Sequence, residues 1–377
     1  MTLIYGGILM KRKGWQPIPD FSTTRKGRAS GWSSAMTYKV PLLLLLAAAL
    51  GCSHSRIERY ADLPAPNRVL RVPAQYNTIQ AAVMAARVGD RILVRPGTYL
   101  GKVVITGAAR NDLQIVADGG EGQVILQGNH TQQTAGTCRF ALEPLCPERA
   151  GFFLRDVAGV IIRGFTVRDF GVGPMSGIGE GFLLVNAHSN RIERNVVTRT
   201  DMMGISLFNS SQNVVERNTF YGNDPDEPMR VGTGCGVHIE TSAALSAGVA
   251  EQNIIRRNVI YGNPFAAVML HRAGSGNQVV VNELRDGGVW GVMNRATNGT
   301  LVEKNRITNH TGFKLAGKPR PVGYGVGIDV TGSSEAVIRN NTLRNNSAFD
   351  IEWDGMGQNT FTGNVCTKAS RDGLCGL

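Results

Sequence analysis

The feature that most constrains the fold of this 377-residue chain is a pair of asparagines that recurs at a regular interval. Motifs of the form Asn-x-apolar-x-x-Asn, some of them looser copies, have their second asparagine at positions 195, 218, 258, 282, 305, 341 and 364. The intervals are 23, 40, 24, 23, 36 and 23 residues, and the two longest hold insertions around 224–236 and 311–325. A repeat of about 23 residues that holds three short strands and no helix is typical of one solenoid coil. The repeat predicts an all-β fold of stacked parallel strands.

The repeated asparagines have a structural explanation. Asparagine tolerates the left-handed backbone conformation of a sharp bend, and its side chain can bond to the asparagine of the next coil. We therefore assign them to a ladder and exclude them from catalysis. Apolar residues beside each motif are expected to fill the interior. With strands about 4.8 Å apart, ten or eleven coils make a rod on the order of 50 Å long.

The start of the repeat region carries a second signal. Val69–Pro73 reads as a strand, and residues 79–86 have apolar positions at helical spacing, with Asn77 able to cap the helix. Arg91–Val94 follows as another strand. This run resembles the N-terminal cap and first coil of right-handed parallel β-helices of the pectin-lyase-like superfamily. The resemblance implies one single-stranded β-helix over residues 69–377, closed at its first coil by the capping helix.

The first 51 residues read as a leader. A short basic start at Met36, an apolar run from Val40 to Leu50 and a small-residue site before Cys52 resemble a bacterial lipoprotein signal. The resemblance implies a lipid anchor on Cys52, translation starting at Met36, and residues 52–68 as a tether. Because Ser53 follows the cysteine, it also implies the outer membrane, facing the periplasm or the cell surface. A plain secretory signal or a lone membrane anchor is the alternative.

Charge and cysteines narrow the class of protein further. The formal net charge is +11, but residues 1–51 carry +6 of it, so the rest is only mildly basic. Such a surface suits an acidic ligand better than nucleic acid, and we expect a monomer.

For an exported chain, the spacing of the remaining cysteines predicts two local disulfides, Cys138 with Cys146 and Cys366 with Cys375, which leave Cys235 outside any disulfide.

Polar side chains on the strands that precede the variable turns form a first candidate site. Alternation predicts that three of them point outward on successive coils, namely Glu240, His271 and Asn294. His238 lies beside Glu240, and Arg272 and Arg295 lie at the rim. A carboxylate orients an imidazole, and guanidinium groups hold a sugar carboxylate, so proton abstraction next to that carboxylate is chemically feasible. The alternative is a solvated ladder of polar side chains.

A second candidate site consists of carboxylates that we expect on neighbouring coils, namely Asp329, Asp350 and Glu352. They require a cation, either Ca²⁺ or the basic side chains of the insertion before them, Lys314, Lys318 and Arg320. The same insertion could instead clamp an anionic polymer, and Tyr324 at its end could donate a proton. A solvated loop is the alternative for the insertion.

Two further resemblances bear on function. Residues 221–226, Tyr-Gly-Asn-Asp-Pro-Asp, resemble the Tyr-Gly-Phe-Asp-Pro-His motif of alginate C5-epimerases, with Asp226 in place of the catalytic histidine. The repeats also resemble the periplasmic NosD family, which is linked to copper-site maturation. The small number of histidines and the absence of methionine-rich clusters do not support a metal carrier. The sequence therefore leaves three hypotheses: an exported enzyme that eliminates or epimerises acidic polysaccharide, a non-catalytic carbohydrate-binding scaffold, and a NosD-like maturation factor.

Overall fold

The structure, a computed structural model, describes residues 60–128, 150–171, 179–223, 234–243, 248–312 and 325–376. The chain separates into two compact units, residues 1–64 and 65–377, and all the helices and strands below belong to the second. None of the described helices has the length and apolar character needed to cross a bilayer.

A short helix lies near the start of the stack, between its first two strands. Helix α1 spans Ile79–Ala85 and buries Ile79, Ala82 and Val83. Its N-cap is Thr78, whose side-chain oxygen accepts a hydrogen bond from the Ala81 amide at 3.0 Å. The predicted helix is therefore confirmed, but Asn77 as its cap is wrong. The threonine hydroxyl, one residue later, is the group that satisfies a free amide of the first turn.

The described strands form three parallel sheets, and each complete coil contributes one strand to each sheet. Sheet A consists of β1 (Val69–Val72), β2 (Arg91–Val94), β5 (Gln114–Ala117), β8 (Ile161–Arg163), β11 (Arg191–Glu193), β14 (Val214–Glu216), β17 (Ile254–Arg256), β20 (Gln278–Val280), β23 (Leu301–Glu303), β26 (Val337–Arg339) and β29 (Thr360–Thr362). Sheet B consists of β3 (Gly97–Leu100), β6 (Val124–Gln127), β9 (Thr166–Arg168), β12 (Val196–Thr198), β15 (Thr219–Tyr221), β18 (Val259–Tyr261), β21 (Glu283–Arg285), β24 (Arg306–Thr308) and β27 (Thr342–Arg344).

Sheet C has the longest strands. It consists of β4 (Val103–Thr106), β7 (Ala150–Arg155), β10 (Glu180–Val185), β13 (Met203–Phe208), β16 (Cys235–Glu240), β19 (Ala266–His271), β22 (Trp290–Arg295), β25 (Val326–Thr331) and β28 (Phe349–Trp353). A 3-10 turn, Ala108–Arg110, lies between β4 and β5. The predicted all-β parallel β-helix is confirmed.

Asparagine ladders hold the coils together at the bends. In the ladder between sheets A and B, Asn218 donates from both its backbone and side-chain nitrogens to Asn258 Oδ1, at 2.9 and 3.1 Å. Asn258 repeats this with Asn282, and its side chain also donates to the Val215 carbonyl at 2.9 Å. The ladder continues to Asn364, and its members are buried. The predicted ladder is confirmed.

The left-handed residue of the bend is not the asparagine itself. None of the ladder asparagines has a positive φ, whereas the residue before each one does: φ is 53° at Arg194, 54° at Arg217 and 54° at Arg257. The expectation that asparagine supplies the left-handed conformation was therefore wrong for these positions. The preceding residue turns the chain, and the asparagine supplies the hydrogen bonds that stack one turn on the next.

A histidine replaces asparagine in the ladder between sheets B and C. Asn223 and Asn263 form this ladder, but its next positions are Gly287 and His310. A side chain on Gly287 would place its first carbon 2.8 Å from the His310 ring, so glycine leaves room for the imidazole. His310 is buried, and its amide donates to Asn346 Oδ1 at 3.1 Å. Burial lowers the pKa of His310 to about 4.

The cysteines agree with prediction where the structure describes them. Cys366 and Cys375 form a disulfide in the last turn, which confirms that pair. Cys235 is buried and forms no disulfide, as expected. Cys138 and Cys146 lie outside the described residues, as does Cys52, so the second disulfide and the lipid anchor stay predictions.

We predict that Asn258→Ala lowers the free energy of unfolding by about 3 kcal/mol, because it leaves buried backbone and amide groups without partners in two neighbouring coils. Asn340→Gly, at the exposed bend position beside Asn341, serves as the control and should change stability little. Denaturant unfolding midpoints measure both. A loss at Asn258 no larger than at Asn340 would contradict the ladder as the main inter-coil contact.

The buried His310 should also make stability depend on pH. Its folded pKa of about 4 lies below its ordinary value of 6.5. Only the unfolded chain gains a proton as the pH falls from 6.5 to 4, so stability should fall across that window by roughly 3 kcal/mol. His310→Asn should remove this part of the pH dependence, whereas His188→Gln on another bend should keep it. An unchanged pH profile in His310→Asn would refute the assignment.

Candidate functional site on sheet C

The outer face of sheet C carries two rows of side chains in register. The middle row is Ser206, His238, Met269, Met293, Asp329 and Glu352. The edge row is Phe208, Glu240, His271, Arg295 and Thr331. Because one residue of each row comes from each coil, neighbours in a row are separated by the strand spacing of about 4.8 Å. The candidate site lies along these two rows.

A carboxylate between two imidazoles is the first part of the site. Glu240 Oε1 lies 3.3 Å from His271 Nδ1, and Glu240 Oε2 lies 3.3 Å from His238 Nε2. Burial acts to raise the pKa of Glu240, but the two imidazoles lower it to about 2. Glu240 is therefore ionised at neutral pH. A proton on the His271 Nδ1 that faces this carboxylate leaves Nε2 as the basic nitrogen.

The two histidines differ in their access to solvent. The side chain of His271 is 34% exposed, whereas that of His238 is only 4% exposed and packs edge-on against Phe208. Nε2 of His238 lies close to Glu240 but is not aligned for a hydrogen bond. Nδ1 of His238 has no hydrogen-bond partner among the described residues. His271 is thus the imidazole that a ligand can reach, and His238 supports Glu240 from behind.

Arg295 follows His271 in the edge row and pairs with a carboxylate of the middle row. Its guanidinium forms an ion pair with Asp329 and lies 4.6 Å from the centre of the Trp290 ring. Thr331 donates a hydrogen bond from its hydroxyl to Asp329 at 2.6 Å. Burial raises the pKa of Asp329 despite this arginine. The side chain of Arg295 stays 38% exposed, so one face of it can contact a ligand.

The register of β22 differs from the prediction at Asn294. Asn294 pairs with Leu270 and Val330 in an inward row, is fully buried, and has no side-chain partner among the described residues. The outward placement predicted for this polar asparagine was therefore wrong, and Met293 lies in the outward middle row instead. Alignment on glycine would have found the register, since Gly291 takes the second strand position, as Gly236 does in β16.

The predicted carboxylate site is only partly assembled. Glu352 is in register with Asp329, and burial and that neighbour raise its pKa. Asp350 lies instead at the inward glycine position, where it accepts hydrogen bonds from Asn346 at 2.8 Å and the Thr367 amide at 2.9 Å. Asp350 as a ligand of this site is therefore wrong. No group of three histidine, cysteine or acidic side chains in the described part of the chain is placed to hold a metal ion.

Other predicted residues are at the rim or beyond the described ranges. Arg272 is exposed at the turn after β19, with a φ of 51°, and its amide donates to the Arg295 carbonyl at 3.0 Å. Lys314, Lys318, Arg320 and Tyr324 lie outside the described residues, as does Asp226. Their proposed roles stay predictions.

Sequence reasoning missed an apolar cluster on the same face, which includes the two methionines of the middle row. It contains Met203, Met269, Met293, Cys235 and Phe265, with Met202 and Trp290 packed against it. Trp290 meets Phe265 edge-on at 4.9 Å and carries Arg295 on its ring. The methionines are distant in sequence, so only the stacking of coils shows that they form a cluster. Contrary to the expectation from sequence, the described residues therefore include a methionine-rich cluster.

The family to which the chain belongs follows from the whole of this architecture. The family model described as right handed beta helix region matches residues 114–284 and 233–376, which together exceed half of the chain. The chain belongs to this family of right-handed β-helix proteins. No curated protein matches the chain significantly.

Solved structures show the same fold at low sequence identity. PfbA, a surface adhesin of Streptococcus pneumoniae, is 13% identical with a TM-score of 0.55, over 80% of this chain and 80% of its own. The catalytic domain of a GH87 alpha-1,3-glucanase is 15% identical with a TM-score of 0.52, over 80% of this chain and 58% of its own. The A-module of the mannuronan C-5 epimerase AlgE6 from Azotobacter vinelandii is 17% identical with a TM-score of 0.47, over 79% and 92%. At these identities the likeness to PfbA and to the glucanase shows the fold alone.

We predict that Asn294→Leu raises the free energy of unfolding by about 1–3 kcal/mol, because it replaces a buried amide without partners by the apolar side chain of the neighbouring coils. Leu270→Asn, the reverse change one coil earlier, should destabilise the protein by a comparable or larger amount. Denaturant unfolding measures both variants. Destabilisation by Asn294→Leu would contradict the inward placement.

Proposed function

We propose that the protein binds acidic polysaccharide across the outer face of sheet C and abstracts the proton next to a sugar carboxylate. The observation that carries this proposal is the edge row of Glu240, His271 and Arg295 on three successive coils. Its rim of exposed guanidinium, imidazole and indole groups suits a sugar ring that bears a carboxylate.

Each residue has a chemical role in this proposal. Arg295 contacts the sugar carboxylate with its exposed face and makes the neighbouring carbon-bound proton more acidic by stabilising the developing negative charge. Nε2 of His271 accepts that proton. Glu240 holds the imidazole in orientation and stabilises the imidazolium that forms, as an ionised carboxylate with a pKa of about 2 can do. Return of a proton to the opposite face gives epimerisation, and loss of the neighbouring glycosidic oxygen gives elimination.

A second candidate is binding without chemistry. The observation that favours it is the stack of Arg295 on Trp290, which offers a platform and a charge for a sugar acid without any proton transfer. PfbA, which shares the fold, is a surface adhesin. In this candidate, Glu240 and His271 are polar contacts at the edge of a binding face.

Export and a lipid anchor on Cys52 belong to the same proposal. The disulfide between Cys366 and Cys375 supports an oxidising compartment, where polysaccharides of the envelope are accessible. The lipoprotein-like segment before Cys52 supports attachment to the outer membrane, facing the periplasm or the cell surface.

The proposal is tested in deuterium oxide with polymannuronate, polyguluronate and polygalacturonate as substrates. Abstraction of the C5 proton, whether followed by epimerisation or elimination, should replace it by deuterium or remove it, which proton NMR detects. His271→Asn should abolish the exchange and leave binding within a few fold, and Glu240→Gln should slow exchange at least tenfold. Arg295→Gln should both weaken binding and slow exchange, because Arg295 contacts the sugar carboxylate and stabilises the charge that develops on it.

The control is Arg339→Gln on sheet A, where Glu303 already pairs with the guanidinium at 3.1 Å. It removes the same charge and should leave both binding and exchange unchanged. Binding by the wild-type chain without any exchange would favour the non-catalytic candidate. Absence of both would overturn the proposal that this face is a polysaccharide site.

A further inference from the structure

A row of charged side chains lies at the bend between sheets A and B, away from the strands of sheet C. The residue before each ladder asparagine is exposed there on five successive coils. We call this line the corner row; it consists of Arg194, Arg217, Arg257, Val281 and Lys304. Their φ values are between 53° and 57°, and the amide of each residue donates to the carbonyl of the residue before its counterpart in the next coil, at 3.0 to 3.4 Å. The row is therefore straight and regularly spaced.

The bend itself does not explain these cations. A left-handed residue is best supplied by glycine or asparagine, and long side chains gain nothing from that conformation. In the last two coils the equivalent positions hold the residue types that this conformation favours, Asn340 and Gly363, with φ of 56° and 62°. Four of the five earlier positions are arginine or lysine, although like charges one strand apart repel each other.

The nearby carboxylates are already used by other arginines. Glu193 pairs with Arg191 and Arg163, and Glu216 pairs with Arg191 and Arg256. Both glutamates are buried beneath the surface of sheet A. Among the described residues, neither Arg217 nor Arg257 has an ion pair. Lys304, in contrast, lies 3.6 Å from Glu303, a carboxylate that also pairs with Arg339. Arg217 and Arg257 thus keep their positive charge at the surface, although the net charge of the chain is modest.

We propose that the corner row binds a linear polyanionic polysaccharide, one negative charge to each coil. A polymer with one carboxylate or sulfate on each sugar has a charge spacing comparable to the strand spacing of about 4.8 Å, so several charges can pair with the row at once. The row contains no aromatic side chain. An aromatic pair on sheet B, Tyr221 and Tyr261, stacks face to face, and Arg285 lies over the ring of Tyr261. Single-stranded nucleic acids need open aromatic faces, which favours a polysaccharide.

The test measures the affinity of the full chain for size-defined polygalacturonate over a range of salt concentrations. The double variant Arg217→Gln and Arg257→Gln should lower affinity at least tenfold at low salt. It should also flatten the slope of log affinity against log salt by roughly 1.4 to 2, because two cations are removed. The control double variant, Arg339→Gln and Arg344→Gln, removes the same charge from the last coils and should change affinity less than twofold. Unfolding midpoints establish that both variants remain folded.

A gain of affinity is the sharper test, because it cannot arise from misfolding. Val281 is the one neutral member of the row, and Val281→Arg should complete the line and raise affinity severalfold. Arg295→Gln on sheet C should leave this gain intact, which separates the corner row from the site proposed above. Equal losses in the two double variants, or no gain from Val281→Arg, would overturn the proposal. So would binding of a single-stranded DNA oligomer as tight as that of polygalacturonate.

Discussion

The hydrogen bond from one asparagine to the asparagine of the next coil is the contact on which the rest of this structure depends. A parallel coil has no hairpin to fix its register, so the bends must hold successive strands at matching positions. Asn218, Asn258 and Asn282 do this with backbone and side-chain bonds together, and the residue before each one takes the left-handed conformation. Because the asparagine makes the hydrogen bonds, the residue in the left-handed position can vary in sequence. Arginine and lysine use that freedom at the corner row.

The same register turns a repeated strand into a site. Glu240, His271 and Arg295 are remote in sequence, yet the ladder places them side by side on sheet C. The acidity of Glu240 follows from this placement, because two imidazoles from two coils outweigh the effect of burial on its pKa. Asp329 shows the opposite balance, since its burial outweighs one arginine. One face therefore combines a firmly ionised carboxylate with one that binds its proton more readily.

The sequence predicts the fold well because the period of the repeat, the capping helix and the ladder all follow from local rules. It predicts the site less well because both faces of the sheet C strands are largely buried. On such a strand, the polarity of a residue does not show whether its side chain points inward or outward. Asn294 points inward although it is polar, and Met293 points outward although it is apolar. Asp350 occupies a position that other coils give to glycine, where it accepts hydrogen bonds from the last turn. Contacts such as Arg295 with Trp290 require side-chain rotamers that no spacing rule supplies.

The most direct test of the account is a crystal structure of the His271→Asn variant with a bound hexuronate oligomer. We predict density along the outer face of sheet C, with one sugar carboxylate against Arg295, its ring against Trp290, and its C5 carbon facing residue 271. An oligomer bound away from sheet C, or bound there with its carboxylates turned away from Arg295, would contradict the central claim.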